Sequence, residues 1–327
     1  MVENTLVRFY EFGNPKDVFC VERQPKEPPA RGEMLVRMLA SPINPSDLIP
    51  VTGAYAHRIP LPGIPGYEGV GIVEEVGPGV SADWIGKRVL PLRGEGTWQR
   101  FVKAPAEWAV PVPEHIADEM AAQLYINPVT AWVVCTEVLQ LQPDDCLLVN
   151  ACGSSIGRIF AQLARVLGFR LIAVIRNGVH TDELLKLGAW QVIDTTETPL
   201  QETVLELTNG LGARAAIDSV GGTAGTELAF SLQPNGRFLA LGLLSGVPVD
   251  WAEIARRGTI EMKMFHLRHW NQSVSVAVWQ ETFYRLFALM QEGRLQLTSP
   301  RARFDLTDVH QAVLETEAGG RGKVLLT

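Results

Sequence analysis

The chain has 327 residues, of which 46% are hydrophobic and 20% are charged, and its formal net charge is −7. This length exceeds what one hydrophobic core usually organises, so we expect two domains. No apolar run is long enough to cross a bilayer, and no basic cluster is present, so we expect neither a membrane nor a nucleic-acid partner.

The N-terminus and the cysteines indicate a cellular compartment. The segment MVENTLVRFYEFG has an early Glu3 and lacks the apolar stretch of a signal peptide. Three of the four cysteines lie among apolar or small residues; the four are Cys20, Cys135, Cys146 and Cys152. These features predict reduced core thiols and a cytoplasmic protein.

The first part of the chain is typical of an antiparallel β domain. Short apolar stretches such as EMLVRMLAS and GVGIVEEVG are separated by Gly and Pro over about the first hundred residues. The proline-rich segment from Pro42 to Gly71 predicts loops. From about Ile116 the pattern favours helices, with an interruption near Asn127 and Pro128.

The middle of the chain alternates strands and helices. Apolar runs CLLVNA, RLIAVI, WQVID and ARAAIDSV each precede a helical pattern, and GRFLALGLL and TIEMKMFHL follow. This alternation predicts βαβ units in a parallel sheet. After Trp270 a helix, the strand ARFDL, a helix and the strand GKVLLT do not extend the alternation, so we expect this tail to return to the first domain.

A strand, a tight turn and a helix succeed one another in CLLVNACGSSIGRIFAQLARVLG. Of the dinucleotide-binding pattern G-x-G-x-x-G only the last glycine remains, as Gly157, with Cys152 and Ser154 at the other two positions. The small residues Gly153, Ser154 and Ser155 leave backbone N–H groups accessible to a pyrophosphate. The alternative is a βα turn that binds nothing.

The second strand of this unit indicates which dinucleotide would bind. An NAD site usually has an acidic residue near the end of that strand, which binds the ribose 2′-OH. Here RLIAVIRNGVH ends in Arg176, and no acid precedes Asp182. A guanidinium suits a 2′-phosphate, so the sequence favours NADPH; a solvated cation at a strand end is the alternative.

Several motifs together resemble the medium-chain dehydrogenase/reductase superfamily over nearly the whole chain. They are SPINPSDLIPVTGAY, IPGYEGVGIVEEVGPGV, GKRVLP, INPVTAW, NACGSSIG and DSVGG. GTWQRFV, the VNA-type turn and FHLRHW are most similar to mitochondrial-type 2-enoyl thioester reductases, with zinc-free quinone oxidoreductases as near neighbours. The resemblance implies an α/β chain with a GroES-like β-rich catalytic domain, residues 1–124 and 268–327. A Rossmann doubly wound parallel sheet would occupy residues 125–267.

The residues that bind zinc in the zinc-dependent members of this superfamily are missing from this sequence. Those relatives have a cysteine just before the Ser-Asp pair and a histidine in a G-H-E motif. Here Asn44 and Pro45 precede Ser46, and Tyr67 stands before Glu68. A catalytic zinc needs three protein ligands, so we expect no metal.

The resemblance also assigns roles to individual residues. It implies that the Tyr55 hydroxyl is catalytic and that Asn44 orients the nicotinamide ribose or the substrate. A loop-anchoring aromatic and a turn-capping asparagine remain the alternatives. The expected substrate-pocket residues are Trp98, His266 and Trp270. The expected cofactor contacts are Asn127, Thr130, Gly153, Ser154, Ser155, Ile156, Gly157 and Arg176.

These alternatives extend to the other assigned positions. Trp98 could equally be a core residue, and Asn127 and Thr130 could serve as helix caps. His266 and Arg268 depart from the enoyl reductase pattern, so the resemblance leaves acyl-chain preference open.

The function expected from these observations is NADPH-dependent, zinc-free reduction of an activated C=C bond in a 2-enoyl thioester or an enone. The first alternative is an NADPH:quinone oxidoreductase, because quinone reductases often keep a tyrosine at the position of Tyr55. The second is an NADPH-binding structural or regulatory protein with little turnover. The resemblance also implies a homodimer through an outer strand, for which GRFLALGLL is the candidate.

Overall fold

The computed structural model describes residues 3–327, so Met1 and Val2, where the signal-peptide expectation begins, lie outside the described residues. The chain divides into two compact units. The first contains the N-terminal part up to Ile126, Ser275–Ala288 and Leu297–Thr327. The second contains Asn127–Val274 and Leu289–Gln296.

These limits differ from the expected boundaries at 124/125 and 267/268. Residues 268–274 belong to the second unit, where the indole N–H of Trp270 donates to the Glu137 carboxylate at 2.9 Å. The second unit also includes residues 289–296, because the Gln296 backbone N–H donates to the Gln162 side-chain oxygen at 2.7 Å.

The strands are numbered in chain order. They are β1 Glu3–Phe9, β2 Phe19–Pro25, β3 Glu33–Pro42, β4 Val70–Val76, β5 Arg88–Leu90, β6 Phe101–Pro105, β7 Val110–Pro111, β8 Cys146–Val149, β9 Arg170–Ile175, β10 Gln191–Asp194, β11 Ala213–Asp218, β12 Leu232–Ala240, β13 Glu261–Met264, β14 Ala302–Phe304 and β15 Val324–Leu326.

The α-helices alternate with these strands most regularly in the second unit. They are α1 Pro15–Val18, α2 Pro45–Leu48, α3 Asp118–Ala121, α4 Ile126–Val133, α5 Ser155–Leu167, α6 Thr181–Leu187, α7 Leu200–Leu207, α8 Gly222–Phe230, α9 Trp251–Arg257, α10 Leu267–Ser273, α11 Val276–Gln291 and α12 Val309–Glu317. The main short helical turns are the 3-10 segments Ile49–Thr52 and Gly178–His180 and the π-helical segment Val134–Val138.

The first unit is built on antiparallel strands, as the sequence predicts. β1 and β2 form a hairpin, and the larger sheet has the order β14-β15-β3-β4-β5-β7, with β6 also paired to β3. Among the described strands of this unit, only β14 and β15 pair in parallel. In α12, Val309, Ala312 and Val313 lie on one helical face and join the aromatic core around Phe9 and Phe19.

The second unit is a six-stranded parallel sheet in the order β10-β9-β8-β11-β12-β13. The order reverses between β8 and β11, which is where ligands bind in doubly wound sheets. Leu148 and Ile172 on the central strands are fully buried in the core of this unit. The predicted α/β fold, with a β-rich unit and a doubly wound unit, is confirmed.

The expected edge strand is wrong. The first five residues of GRFLALGLL, Gly236–Ala240, are the end of β12, which lies between β11 and β13 and is therefore not an edge strand, whereas Leu243 and Leu244 follow the strand and are exposed. β13 is the edge strand on this side of the sheet, and all four of its residues are exposed. The side chain at its end, Met264, is 70% exposed.

The predicted break near Asn127 and Pro128 also lies elsewhere. α4 begins at Ile126, so both residues are in its first turn, and the interruption precedes the helix. A proline fits there because the first N–H groups of a helix have no partner within the helix.

Two further expectations concern the thiols and the membrane. Cys135, Cys146 and Cys152 are buried free thiols, as predicted, whereas Cys20 is exposed. None of the helices described for residues 3–327 is long and apolar enough to cross a membrane.

Candidate active site

The turn after β8 is arranged so that backbone donors are available to a ligand. Ala151 has a positive φ of 50°, and Ser154 caps α5 by accepting from the Gly157 N–H at 3.2 Å. The cap satisfies one of the first-turn N–H groups of the helix, which leaves those of Ser155 and Ile156 for an anion. The turn therefore has free backbone donors at the predicted positions, and the pyrophosphate contacts themselves stay predictions.

Gly157 keeps its place in the motif for a packing reason. A β-carbon there would lie 2.3 Å from the Cys152 carbonyl oxygen and 2.5 Å from its Cα. Any other residue would push the helix away from the strand and open the turn. The structure thus explains why a glycine occupies this position of the pattern.

A buried network that the sequence analysis missed braces the same edge of the sheet. The Asn150 side chain, after β8, donates to the Asp218 carboxylate at 2.6 Å, and its oxygen accepts from the Ser219 N–H at 2.8 Å. Asp218, at the end of β11, also accepts from the N–H groups of Val220 and Gly221. The two turns at the reversal point of the sheet are therefore held together. The D-S-V-G-G stretch is the signal that could have revealed this.

Arg176 directly follows β9 and is exposed. Within residues 3–327 it forms no ion pair, so its guanidinium is available to an anion. The carboxylate of Asp194 is on the neighbouring strand β10, in register with Ile175, and it accepts from the Thr196 N–H and hydroxyl. The strand end that bears an acid in NAD sites therefore bears a cation here.

Tyr55 lies in the loop that follows α2 and is half-buried. The Arg58 guanidinium carbon is 4.1 Å from the centroid of its ring, which is a cation–π contact. The phenol hydroxyl has no hydrogen-bond partner among the described residues, so it is free to donate to a ligand. A positive charge beside a free phenol favours the development of negative charge nearby.

Asn44 is part of a buried polar network and is only 2% exposed. Its amide nitrogen donates to the carboxylates of Asp47, at 3.1 Å, and Glu68, at 2.9 Å, and its oxygen accepts from the Lys323 ammonium. Both amide hydrogens and one lone pair of the oxygen are used within the protein, so the side chain fixes the loop that leads into α2. The contact of Asn44 with the nicotinamide ribose or the substrate stays a prediction.

Glu68 is the centre of this network. One carboxylate oxygen accepts from Lys323 at 2.9 Å, and the other accepts from the backbone N–H groups of Tyr125, at 3.1 Å, and Ile126, at 2.8 Å. Segments far apart in the sequence thus converge on one carboxylate. The glutamate of the G-Y-E motif was visible in the sequence, but its partner Lys323 was not.

Asp47 carries the second carboxylate of the network. Burial raises its pKa to about 7, and Glu68 adds to the rise, while hydrogen bonds from Asn44 and the charge of Lys323 oppose it. Its oxygens accept from the backbone N–H groups of Asn44, at 2.7 Å, and Tyr67, at 3.0 Å.

The donor chemistry of this network does not fit a catalytic zinc. The positions that bind zinc in the relatives are taken by the Asn44 amide, which already has three partners, and by Tyr67. The Lys323 ammonium, which cannot bind a metal cation, contacts both Asn44 and Glu68. No group of three metal-binding side chains occurs within residues 3–327.

Trp98 is a core residue of the first unit and not an open pocket residue. It is fully buried, and its ring makes an edge contact with Phe19, with the centroids 5.5 Å apart. A β-carbon at Gly66 would lie 2.3 Å from the indole, so that glycine makes room for it. Since no surface of Trp98 is exposed, the predicted substrate contact is wrong, and the alternative of a core tryptophan describes this residue.

The remaining predicted residues all lie in the second unit. Asn127 and Thr130 occupy the first turns of α4, where Thr130 is buried and Asn127 half-buried. His266 precedes α10, and Trp270 lies within it and donates to Glu137. The rings of His266 and His269 are 5.3 Å apart. The substrate roles of His266 and Trp270 stay predictions.

Comparison with known proteins places the chain in a family. Residues 30–114 match the family described as Alcohol dehydrogenase GroES-like domain, and residues 155–292 match the one described as Zinc-binding dehydrogenase. The mitochondrial enoyl-[acyl-carrier-protein] reductase of Rattus norvegicus is 34% identical over 309 residues, which is 92% of this chain and 82% of the relative. The chain belongs to the medium-chain dehydrogenase/reductase superfamily.

Solved structures of superfamily members are similar over their whole length. A Bacillus thuringiensis protein, provisionally named an NADPH:quinone reductase, is 60% identical with a TM-score of 0.97, covering 100% of this chain and 99% of that one. Etr1p, solved in a complex with NADP and crotonyl-CoA, is 25% identical to this chain with a TM-score of 0.87, and the similarity covers 100% of both chains.

Proposed function

We propose that this protein uses NADPH to reduce the activated C=C bond of a 2-enoyl thioester or a related enone, without a metal. The observation that carries the proposal is the Tyr55 hydroxyl, which lacks a hydrogen-bond partner among the described residues and has the Arg58 guanidinium beside its ring. The rat relative, named an enoyl-[acyl-carrier-protein] reductase, and the Etr1p complex with NADP and crotonyl-CoA support the substrate class.

NADPH is the cofactor that the second unit suits best. The Ser155 and Ile156 N–H groups bind the pyrophosphate, and the close packing at Gly157 keeps the turn open to it. Arg176 binds the 2′-phosphate through charge-assisted hydrogen bonds. When bound, NADPH supplies the hydride.

The residues of the first unit manage charge and protons during the reaction. Hydride addition at the β-carbon of an α,β-unsaturated carbonyl builds negative charge on the carbonyl oxygen. The Tyr55 hydroxyl donates a hydrogen bond to that oxygen or delivers the proton to the α-carbon, and the Arg58 cation favours both. Asn44 acts as a positioning residue, because it fixes the loop before α2 through Asp47 and Glu68.

The quinone alternative has its own support in the 60% identity to the protein named an NADPH:quinone reductase. We therefore test NADPH oxidation with trans-2-enoyl thioesters, simple enones and quinones side by side. A kcat/KM at least about tenfold higher on thioesters or enones than on quinones supports the proposal, and the reverse order supports the alternative. NADPH binding without turnover on any substrate would favour a structural or regulatory protein.

The exposed edge strand supports a homodimer. β13 presents four exposed residues and unpaired backbone groups along its outer side, which is the surface that strand pairing with a second copy would cover. Sedimentation should therefore give twice the mass of the chain. Met264→Lys, which places a charge on the edge, should shift the protein toward the monomer, and Val278→Lys, at another exposed apolar residue, should not.

The cytoplasm remains our proposed location. Four unpaired cysteines fit a reducing compartment, although the rat relative is named a mitochondrial enzyme. Cell fractionation followed by immunodetection tests this placement, and recovery with an organelle fraction would contradict it.

A further inference from the structure

His180, which the proposed function leaves without a role, lies beside the dinucleotide turn. It ends the short segment that starts at Arg176 after β9, and its side chain is 32% exposed. A β-carbon on Gly153 would be 2.5 Å from the His180 Cδ2 atom and 3.2 Å from its Nε2. The imidazole therefore occupies the space that a β-carbon at residue 153 would need.

The tautomer of His180 follows from its contact with Arg158. The Arg158 Nη2 atom lies 3.3 Å from the His180 Nδ1 atom. A guanidinium can only donate, so Nδ1 must accept, and the ring proton is on Nε2. The Nε2–H group then has no hydrogen-bond acceptor among the described residues. The Nε2–H group of the half-exposed His180 is thus available to a ligand next to the turn.

Arg158 is held firmly enough to fix this ring. It is 6% exposed, and its guanidinium forms a fork with both Glu183 carboxylate oxygens, at 3.1 and 3.0 Å. It also donates to the Gly153 carbonyl oxygen. One buried cation on α5 therefore connects the turn, α6 and the segment after β9.

Two arginines belong to the surroundings of His180, and the Glu183 carboxylate beside its ring is ion-paired with one of them. Arg158 contacts the ring, and Arg176, exposed, begins the same segment. Glu183 has an oxygen 3.8 Å from Nδ1, on the side of the ring away from Nε2, and Arg158 neutralises it. The Asp194 carboxylate lies near Gly178, 3.7 Å from the position of a β-carbon there.

We propose that His180 is a specificity-determining residue whose Nε2–H donates to the 2′-phosphate of NADPH, with Arg158 as the positioning residue that fixes its tautomer. The ligand group is a phosphate monoester, which Arg176 binds from the start of the same segment. This inference rests on the proposed cofactor and adds a second, neutral donor to it.

The experiment measures Kd for NADPH, NADH and 2′,5′-ADP with the wild type, His180→Ala and His180→Gln. Loss of one donor to a charged phosphate should weaken NADPH and 2′,5′-ADP about tenfold and leave NADH unchanged. The glutamine amide reaches about as far as Nε2, so His180→Gln should recover most of the affinity. His115→Ala, an exposed histidine of the first unit, is the matched control and should change nothing.

Arg158→Lys tests the positioning role. It keeps the charge but loses the fork, so the preference for NADPH over NADH should fall about threefold or more.

Equal weakening of NADPH and NADH by His180→Ala, or no weakening of either, overturns the inference. So does a glutamine variant as weak as the alanine variant. A wild-type protein that prefers NADH, or binds neither dinucleotide, contradicts the proposed function instead, so the two failures can be told apart.

Discussion

The Lys323 ammonium lies 2.9 Å from the Glu68 carboxylate, and the two side chains are only 8% and 1% exposed. Lys323→Met would leave the carboxylates of Glu68 and Asp47 buried beside each other without a cation. Breaking a buried pair on one side destabilises a protein by about 3–5 kcal/mol, and we expect a loss of that size in urea unfolding.

Lys103→Met is the matched control for this experiment. Lys103 pairs with Glu27, which is 68% exposed, at 2.8 Å, and water and salt screen such a surface pair, so Lys103→Met should change the free energy of unfolding little. If Lys323→Met and Lys103→Met lowered the free energy of unfolding by similar amounts, the buried Lys323 network would stabilise the fold no more than a surface ion pair does.

The pH dependence of stability should report Asp47. Its pKa is raised to about 7 in the folded protein, against about 4 in an unfolded chain. Between these values the folded protein binds more protons, so the stability that protonated Asp47 contributes is complete below about pH 4 and is lost as the pH rises toward 7.

Asp47→Asn cannot ionise and should therefore have a flatter profile. From pH 5 to pH 8 the wild type should lose on the order of 2 kcal/mol relative to this variant in urea unfolding. Asp83→Asn, at an exposed aspartate, should follow the wild type. Parallel profiles for the wild type and Asp47→Asn would show that Asp47 does not titrate in this range.

Tyr55→Phe removes one hydroxyl and keeps the ring under Arg58. If the hydroxyl stabilises charge or delivers the proton, kcat on enoyl thioesters should fall by roughly 10²-fold, with little change in NADPH affinity. Steady-state kinetics and cofactor titration measure both. An unaltered kcat would make Tyr55 a loop anchor.

Arg176→Ala should weaken NADPH binding by roughly 1.5–3 kcal/mol, the range for hydrogen bonds to charged groups, or about 10- to 150-fold. NADH has no 2′-phosphate, so its affinity should hardly change. Titrations with both dinucleotides, at low and high salt, test this, and the effect should be larger at low salt. Equal losses for both would assign Arg176 to the fold.

Chelation should leave the activity intact. The zinc-binding positions of the relatives carry the Asn44 amide and Tyr67, and an ammonium lies between Asn44 and Glu68. Purified protein treated with EDTA should retain full turnover and contain no stoichiometric zinc by elemental analysis. Activity that disappears with EDTA and returns with zinc would refute metal-free reduction.

Local patterns explain what could be predicted from the sequence. The turn before α5 depends on a cap at Ser154 and on close packing at Gly157, and both determinants lie within a few residues. By contrast, Lys323 and Asn44 are 279 residues apart, and nothing near either residue announces the contact. Trp98 has the same neighbours in the sequence whether it lines a pocket or fills a core.

The edge strand shows how an apolar run can mislead. The part of GRFLALGLL that belongs to β12 lies between β11 and β13, whereas the edge strand β13 carries Glu261 and Lys263 among its exposed residues. Charged residues are typical of edges because they discourage unwanted pairing. The apolar content of a strand alone therefore does not show whether that strand lies inside the sheet or at its edge.

The distribution of thiols makes the native chain suitable for single-site labelling. Cys20 is exposed, whereas burial raises the pKa of Cys146 to about 11 and of Cys152 to about 12, and also raises that of Cys135. Only thiolates react quickly with maleimides. A dye should therefore attach once to the folded protein, on β2, and three more times as it unfolds, so intact mass counts the opened molecules directly.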